Sequence, residues 1–350
     1  MFYIHRSSCI SPQETFQEIN IDNIKEPADR RYMAIEPAYD QIPPGILRRM
    51  GKSVRMGVGA AMPLLQDNRP DGIIIGTANG GKEDCVKFLN QVKEYDEGML
   101  TPINFVQSTP NAVAAQIGLL TKNLGYNVSH LHLGLAFEFA MIDADMMIND
   151  DPAKSFLLGG VDDISTYNYY FEEKGGWYKD RKITSTELYK TNTPGSIAGE
   201  AATMFLVSGN QTNSIASVLA IDTLHSADEV LVKEKLSSFI TKHLPPGQSI
   251  DLLVSGENGD GRLDKYYSNC ESLLPDAAIA RFKHMCGEYP TATGMALWLA
   301  CEILGSQSLP GHMIKKPGKT KTIKNLLIYN TYKGIQHSFI LVGEAASCKL

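Results

Sequence analysis

Two separate stretches of this chain share one pattern. DGIIIGTANGGKED (residues 71–84) and IDLLVSGENGDGRLD (residues 250–264) each run from a short apolar strand through a glycine-bearing turn to a polar helix start. Downstream of each comes a helix rich in small and apolar residues, LGLAFEFAMIDADMMI in the first case and TATGMALWLACEIL in the second. Each set then closes on apolar strands, KSFLLGGVDDIS (154–165) and IKNLLIYNTYKGIQHSFILVG (323–343). The parallel order of these later elements favours duplication over coincidence between two glycine turns. The expectation is two α/β units, residues 1–212 and 213–350. Strands of continuous apolar character between helices are expected in sheets buried on both faces.

Composition narrows the function classes. At 350 residues with 43% hydrophobic and 21% charged residues, the chain can bury a large core or two packed halves. A net charge of −6 with no basic block argues against nucleic-acid binding. No run of about 18 apolar residues occurs, so no membrane-spanning helix is expected. The N-terminal MFYIHRSSCISPQETF lacks the basic and apolar regions of a secretory signal, and a cytoplasmic protein is expected. Cys9, Cys85, Cys270, Cys286, Cys301 and Cys348 form no CxxC pair, which reads as reduced thiols with no zinc set. No metal or cofactor is expected; His130 and His132 near Glu138 lack a third ligand at fixed spacing. The aromatic, aperiodic stretch 167–195 reads as a covering loop or hairpin, at a pocket, an interface or plain surface.

KHMCGEYPTATG (283–294) resembles the β-ketoacyl synthase motif K-S-x-T-G-H-x-x-G-A-A-G, with Lys283, Gly287, Ala292 and Gly294 on matching positions. Further blocks resemble the same family in the same order: INFVQSTPNAVAAQIGLL (103–120), LLGGVDD (157–163), SIAGEAATMFLV (196–207) and NTYKGIQHSFIL (330–341). Each block is degenerate, yet together they span nearly the whole chain. The resemblance implies an α/β thiolase-like fold, a five-layered α-β-α-β-α sandwich of two duplicated βαβαβαββ halves, usually dimeric. The chain is shorter than typical condensing enzymes, so trimmed covering loops are expected.

A decarboxylative condensing enzyme needs a cysteine thiolate at a strand-to-helix elbow, two histidines, and backbone donors for the thioester oxyanion. The elbow here is VSHLHLGLAFE, and the cysteine position of the motif V-x-T-A-C-x-S falls on His132. No cysteine lies between Cys85 and Cys270, so no small shift of register supplies a thiolate. The first family histidine matches Gly256 in GENGDGRLD, where Asp264 is retained. The second matches Glu288. Lys283 is the family lysine, but its usual carboxylate partner matches Leu297. Tyr332 stands at the phenylalanine gate position, with Lys333 where a glycine is expected. The Cys-His-His set therefore reads His132, Gly256, Glu288, with Lys283 and Tyr332 beside it. A carboxylate at Glu288 would repel a developing enolate, which argues against ordinary condensation.

Three uses of such a pocket stay open. His132, Glu288 and Lys283 could form a satisfied polar cluster in a dead pocket; the pocket could bind an acyl chain without covalent chemistry; or His132 as base and Glu288 as its orienter could hydrolyse or transfer an acyl thioester. Cys286 reads as a structural buried thiol. Phe137 and Phe139 either fill the acyl tunnel or pack the core. Arg48, Arg49, Lys52 and Arg55 resemble the family's basic segment and are candidates for docking an acyl carrier protein, or form a solvated face. The whole pattern most resembles the short, divergent synthase-like proteins of aryl polyene or flexirubin-type pigment clusters. It implies a silent, chain-length-factor-like partner that pairs with an active ketosynthase or with itself.

Overall fold

Ile73, Ile74 and Ile75 are all fully buried, but they face two different cores. That alternation requires cover on both sides of the sheet. The computed structural model describes residues 1–345; Cys348 lies outside them. The strands are β1 (Phe2–Ile10), β2 (Arg31–Tyr32), β3 (Gly72–Gly76), β4 (Tyr126–His130), β5 (Ser155–Asp162), β6 (Ala198–Gly199), β7 (Ala201–Ser208), β8 (Ala216–His225), β9 (Leu252–Ser255), β10 (Ala278–Arg281), β11 (Ile314–Lys316), β12 (Asn325–Tyr332) and β13 (Gln336–Glu344).

From β1 outward the order is β1-β7-β5-β3-β4, with two antiparallel pairings followed by two parallel ones. From β8 outward it is β8-β13-β12-β9-β10, with the same sequence of pairings. β11 adds an antiparallel edge to the second set. The three pairs Phe2–Val218, Tyr3–Ser217 and Ile4–Ala216 join the two sets into one eleven-stranded sheet. β3 and β9, which carry the repeated sequence, occupy the same place in their sets.

Three buried clusters mark the layers. Ile73, Ile75, Leu157 and Met204 pack with the helices Lys52–Leu65 and Ala112–Thr121. Leu253, Leu327 and Leu341 pack with the helices Glu229–His243 and Asp264–Glu271. Between them, Ile74, Phe156, Phe205, Val254 and Ile328 enclose the helices Ala136–Asp150 and Ala292–Ser306. Helix, sheet, helix, sheet, helix is the five-layered thiolase-like arrangement.

The helices suit their layers. Ala292–Ser306 is apolar nearly all round and buried from Ala292 to Cys301, as a central helix must be. Glu229–His243 is an outer helix that buries only Val232, Leu236 and Phe239. Its first turn is capped by Asp228, which accepts from Val230 N and Leu231 N. The stretch 167–195 departs from the expected loop: residues Thr166–Lys174 are helical, started by Ser165 Oγ, which accepts from Asn168 N at 3.1 Å. Its aromatics show no core period because several of them wall a cavity.

Candidate active site

The elbow joins β4 to the Ala136–Asp150 helix. Leu133 sits in its turn with φ of +50°, a conformation that costs a branched side chain free energy. Gly134 follows, and a Cβ there would lie 2.1 Å from Tyr332 Cβ. The turn therefore rests directly on Tyr332, and Leu133 forms part of the wall of a cavity of about 160 Å³. His132 is a correction to the expected site. It is exposed and lies outside the lining. Its ring packs on Phe139 at 4.5 Å, and Nδ1 is 3.2 Å from Gln336 Nε2. Leu133 is exposed as well, but unlike His132 it borders the cavity.

The second-half block lies across the cavity. Gly287 has φ of +75°, and a Cβ there would lie 2.7 Å from Ala198 O. Glu288 N donates to Ile197 O at 2.7 Å and Gly199 N donates to Glu288 O at 3.0 Å, pinning the segment to β6. Lys283 is fully buried, and its Nζ donates to Glu288 Oε2 at 2.7 Å. Asn258 Nδ2 donates to the same oxygen at 2.5 Å. The Asn258 amide is held in turn by Asp260 N, which donates to Asn258 Oδ1 at 3.0 Å. Glu288 Oε1 is buried with no partner. Lys283 is thus paired with Glu288 behind the wall, and Glu288 and Tyr332 line the cavity.

Gly256, where the resemblance places the first family histidine, lies outside the cavity lining. A Cβ at this position would lie 2.2 Å from Asn330 Oδ1, so it faces a neighbouring strand and offers no room for a side chain. The residue of this loop that reaches Glu288 is Asn258. An asparagine in a glycine-rich turn reads as turn chemistry, so no sequence signal separated it from its neighbours. Lys333 takes φ of +56° where a glycine was expected. Its Nζ reaches Glu172 at 2.8 Å and lies 5.2 Å from the Trp177 ring, tying β12 to the Thr166–Lys174 helix.

A second polar group borders the cavity. Asp162 Oδ1 accepts from Ala78 N (2.9 Å), Asn79 N (2.8 Å) and Thr77 Oγ1 (3.2 Å). Burial nevertheless pushes its carboxyl up to about 6. Asp163, on the cavity wall, is pushed to about 7 by burial, then by Glu200 and Asp162. Glu200 is fully buried; it accepts from Ala34 N at 2.7 Å and Ile164 N at 2.8 Å and pairs with Lys52. That pairing divides the basic segment. Lys52 is committed to Glu200 and Arg55 to Glu36 at 2.5 Å, while Arg48 and Arg49 remain exposed. Two of the four expected docking residues are therefore engaged internally.

Among the described residues, no cysteine lines the cavity. Cys286 is fully buried, and burial pushes its thiol well above the ordinary range against the pull of Lys283. Phe137 is core, 5.9 Å from Phe205. Glu138, buried in the central helix, accepts from Thr293 Oγ1 at 2.6 Å, and burial raises its carboxyl above the usual carboxylate range. His130 is taken up by Asp143 at 2.8 Å. Among the described residues no group of three or more His, Cys, Asp and Glu is placed to hold a metal ion, and no helix is long and apolar enough to cross a membrane. The chemistry left is a fixed carboxylate on a small aromatic cavity.

Residues 23–177 match the family model described as beta-ketoacyl synthase, N-terminal domain. A comparison with curated proteins finds no match. Solved structures match over nearly the whole chain. A β-ketoacyl synthase from Burkholderia phymatum STM815 is 13% identical with a TM-score of 0.77, covering 98% of this chain and 99% of that one. The ishigamide ketosynthase/chain length factor is 12% identical with a TM-score of 0.77, covering 98% of each. A type II PKS acyl-carrier protein in complex with its ketosynthase bound to the hexaketide is 12% identical with a TM-score of 0.75, covering 98% of this chain and 99% of that one. Residues 23–177 are thus similar to the N-terminal domain of β-ketoacyl synthases, and over nearly its whole length the chain has the thiolase-like fold of these structures.

Proposed function

We propose that this protein is a catalytically silent ketosynthase homologue that acts as a chain-length-factor-like partner of an active ketosynthase. The observation that carries this reading is the elbow. His132, at the cysteine position, is exposed and outside the cavity lining, Leu133 is the elbow residue that lines it, and Glu288, at the second histidine position, lines it as a carboxylate held by Lys283 and Asn258. The likeness to a ketosynthase/chain length factor structure supports the role. Residues 1–212 and 213–350 are its two halves. The pathway is of the aryl polyene, polyketide or fatty-acid type, and the protein works in the cytoplasm.

The partner would meet the open edge of the sheet. β4 is the terminal strand and pairs only with β3. Around it stand the exposed apolar side chains of Leu119, Leu124, Leu131 and Met146, with Phe105 and Val106 nearby in sequence. A free strand edge with a wide apolar rim is a ready interface. Arg48 and Arg49 are the residues proposed for the acyl carrier protein. Co-expression with the synthase encoded beside this chain tests the reading. A stable one-to-one complex whose product length changes when this chain is removed supports it. Two separate homodimers and an unchanged product contradict it.

A further inference from the structure

We propose that His284 and His312 form a proton-sensitive clasp that holds the strap of residues 11–30 against the Lys283–Cys286 turn and lets it loosen in acid. The strap joins β1 to β2 and carries no helix or strand of its own. Its ends are held to that turn by side chains. Gln13 Nε2 donates to Met285 O at 2.6 Å, and Tyr32 Oη donates to His284 O at 2.5 Å. Its middle is anchored by Ile21 and Ile24, which pack at the edge of the central core, and by His312 Nε2, which lies 2.6 Å from Ile21 O.

The hydrogens of this clasp have one arrangement. A carbonyl oxygen only accepts, so His312 Nε2 carries a hydrogen, and in the neutral ring Nδ1 is left as an acceptor. His284 Nε2 stands 2.8 Å from that Nδ1 and must donate to it. His284 Nδ1 then accepts from the Tyr189 hydroxyl at 3.3 Å, and Tyr189 Oη in turn accepts from His284 N at 3.1 Å. An added proton has to reverse the chain. That moves the His284 hydrogen onto Nδ1 and leaves the Tyr189 hydroxyl without its acceptor.

The surrounding groups oppose a charge as well. Arg281 lies over the Tyr189 ring at 3.8 Å, Lys283 adjoins His284 in the chain, and burial holds Tyr32 and Tyr189 neutral. The carboxylates of the region are committed: Glu257 to Arg281 and Lys315, Glu288 to Lys283, and Glu26 to Ser185. Asp22, beside Ile21, is exposed. His284 is buried, and burial, then His312 and Arg281, push its ring from 6.5 down to about 3. With the strap lifted, the ring returns to about 6.5. The closed state therefore binds fewer protons than the open one between these values, so the clasp is firm above the window and weakens as pH falls through it.

Hydrogen–deuterium exchange of the full chain, in the assembly in which it purifies, tests the clasp. The bonded amides of Asn20 (to Glu14 O, 2.9 Å) and Lys25 (to Gln13 Oε1, 2.7 Å) report on the strap, and those of β7 serve as reference. From about pH 7.5 to about pH 5.5, after correction for intrinsic exchange, strap opening should rise about 10-fold, the factor supplied by one histidine returning to about 6.5. The β7 amides should stay protected. His312→Phe, at a half-buried position, should raise strap exchange already at the higher pH and flatten its pH dependence. His284→Gln keeps a donor for His312 Nδ1 without a titrating ring, and should hold the strap closed at both pH values. Strap exchange that is flat with pH in the parent, strap exchange unchanged in His312→Phe, or a full acid response in His284→Gln would overturn the assignment.

Discussion

The same place in the two halves has been put to opposite uses. In the first half, β4 hands over to the Ala136–Asp150 helix through an exposed turn with Leu133 in a left-handed conformation. In the second half, β10 hands over to the Ala292–Ser306 helix through a buried segment built around Lys283 and Glu288. One junction kept the strained backbone and carries an inert side chain. The other kept the family lysine and placed a carboxylate on the cavity. Backbone shape and side-chain chemistry have therefore separated: the elbow survives as geometry, and the polar chemistry survives across from it.

The largest expected effect attacks the second junction. Lys283→Met leaves Glu288 without its buried cation and should cost about 3–5 kcal/mol in denaturant unfolding; a neutral result would show that the pair does not hold this segment. Next is the acidic group beside the first junction. The folded chain keeps a proton on Asp163 up to about pH 7, whereas the unfolded chain releases it near 3.8. The native state thus binds more protons between these values, and stability falls as pH rises through that window. Asp163→Asn removes this loss. It should raise stability above pH 7 by on the order of 2–4 kcal/mol, and much less below pH 4, in a pH series of thermal melts.

Two smaller effects test the site assignment. Gly256→His restores the family residue type but drives it into Asn330, and should destabilise by about 1–3 kcal/mol without creating activity. His132→Ala removes an exposed ring and should stay within about 0.5 kcal/mol of the parent. Loss of any thioester turnover in that variant would return His132 to the site.

Much of the fold was legible because duplication writes itself twice. β3 and β9 carry similar words, and each central helix is apolar enough to demand burial. Lys283, Glu288 and Tyr332 were legible because glycines such as Gly287 anchor their blocks. The rest depended on side-chain direction in turns. A leucine at φ +50° has no signature in sequence, so the left-handed turn that leaves His132 outside the cavity lining was not legible. Asn258 was hidden for a similar reason, two residues past the position that the motif points to. Lys52 and Arg55 looked free because their partners Glu200 and Glu36 are remote in sequence or lie in an unpatterned segment.

Intact-mass spectrometry of the co-purified pair tests catalytic silence most directly. The complex would be incubated with acyl carrier protein charged with an acyl thioester, and each subunit weighed. The ketosynthase should gain the acyl mass while this chain keeps its own, because Leu133 offers no nucleophile and Cys286 is buried. An acyl adduct on this chain would contradict the reading of a silent subunit.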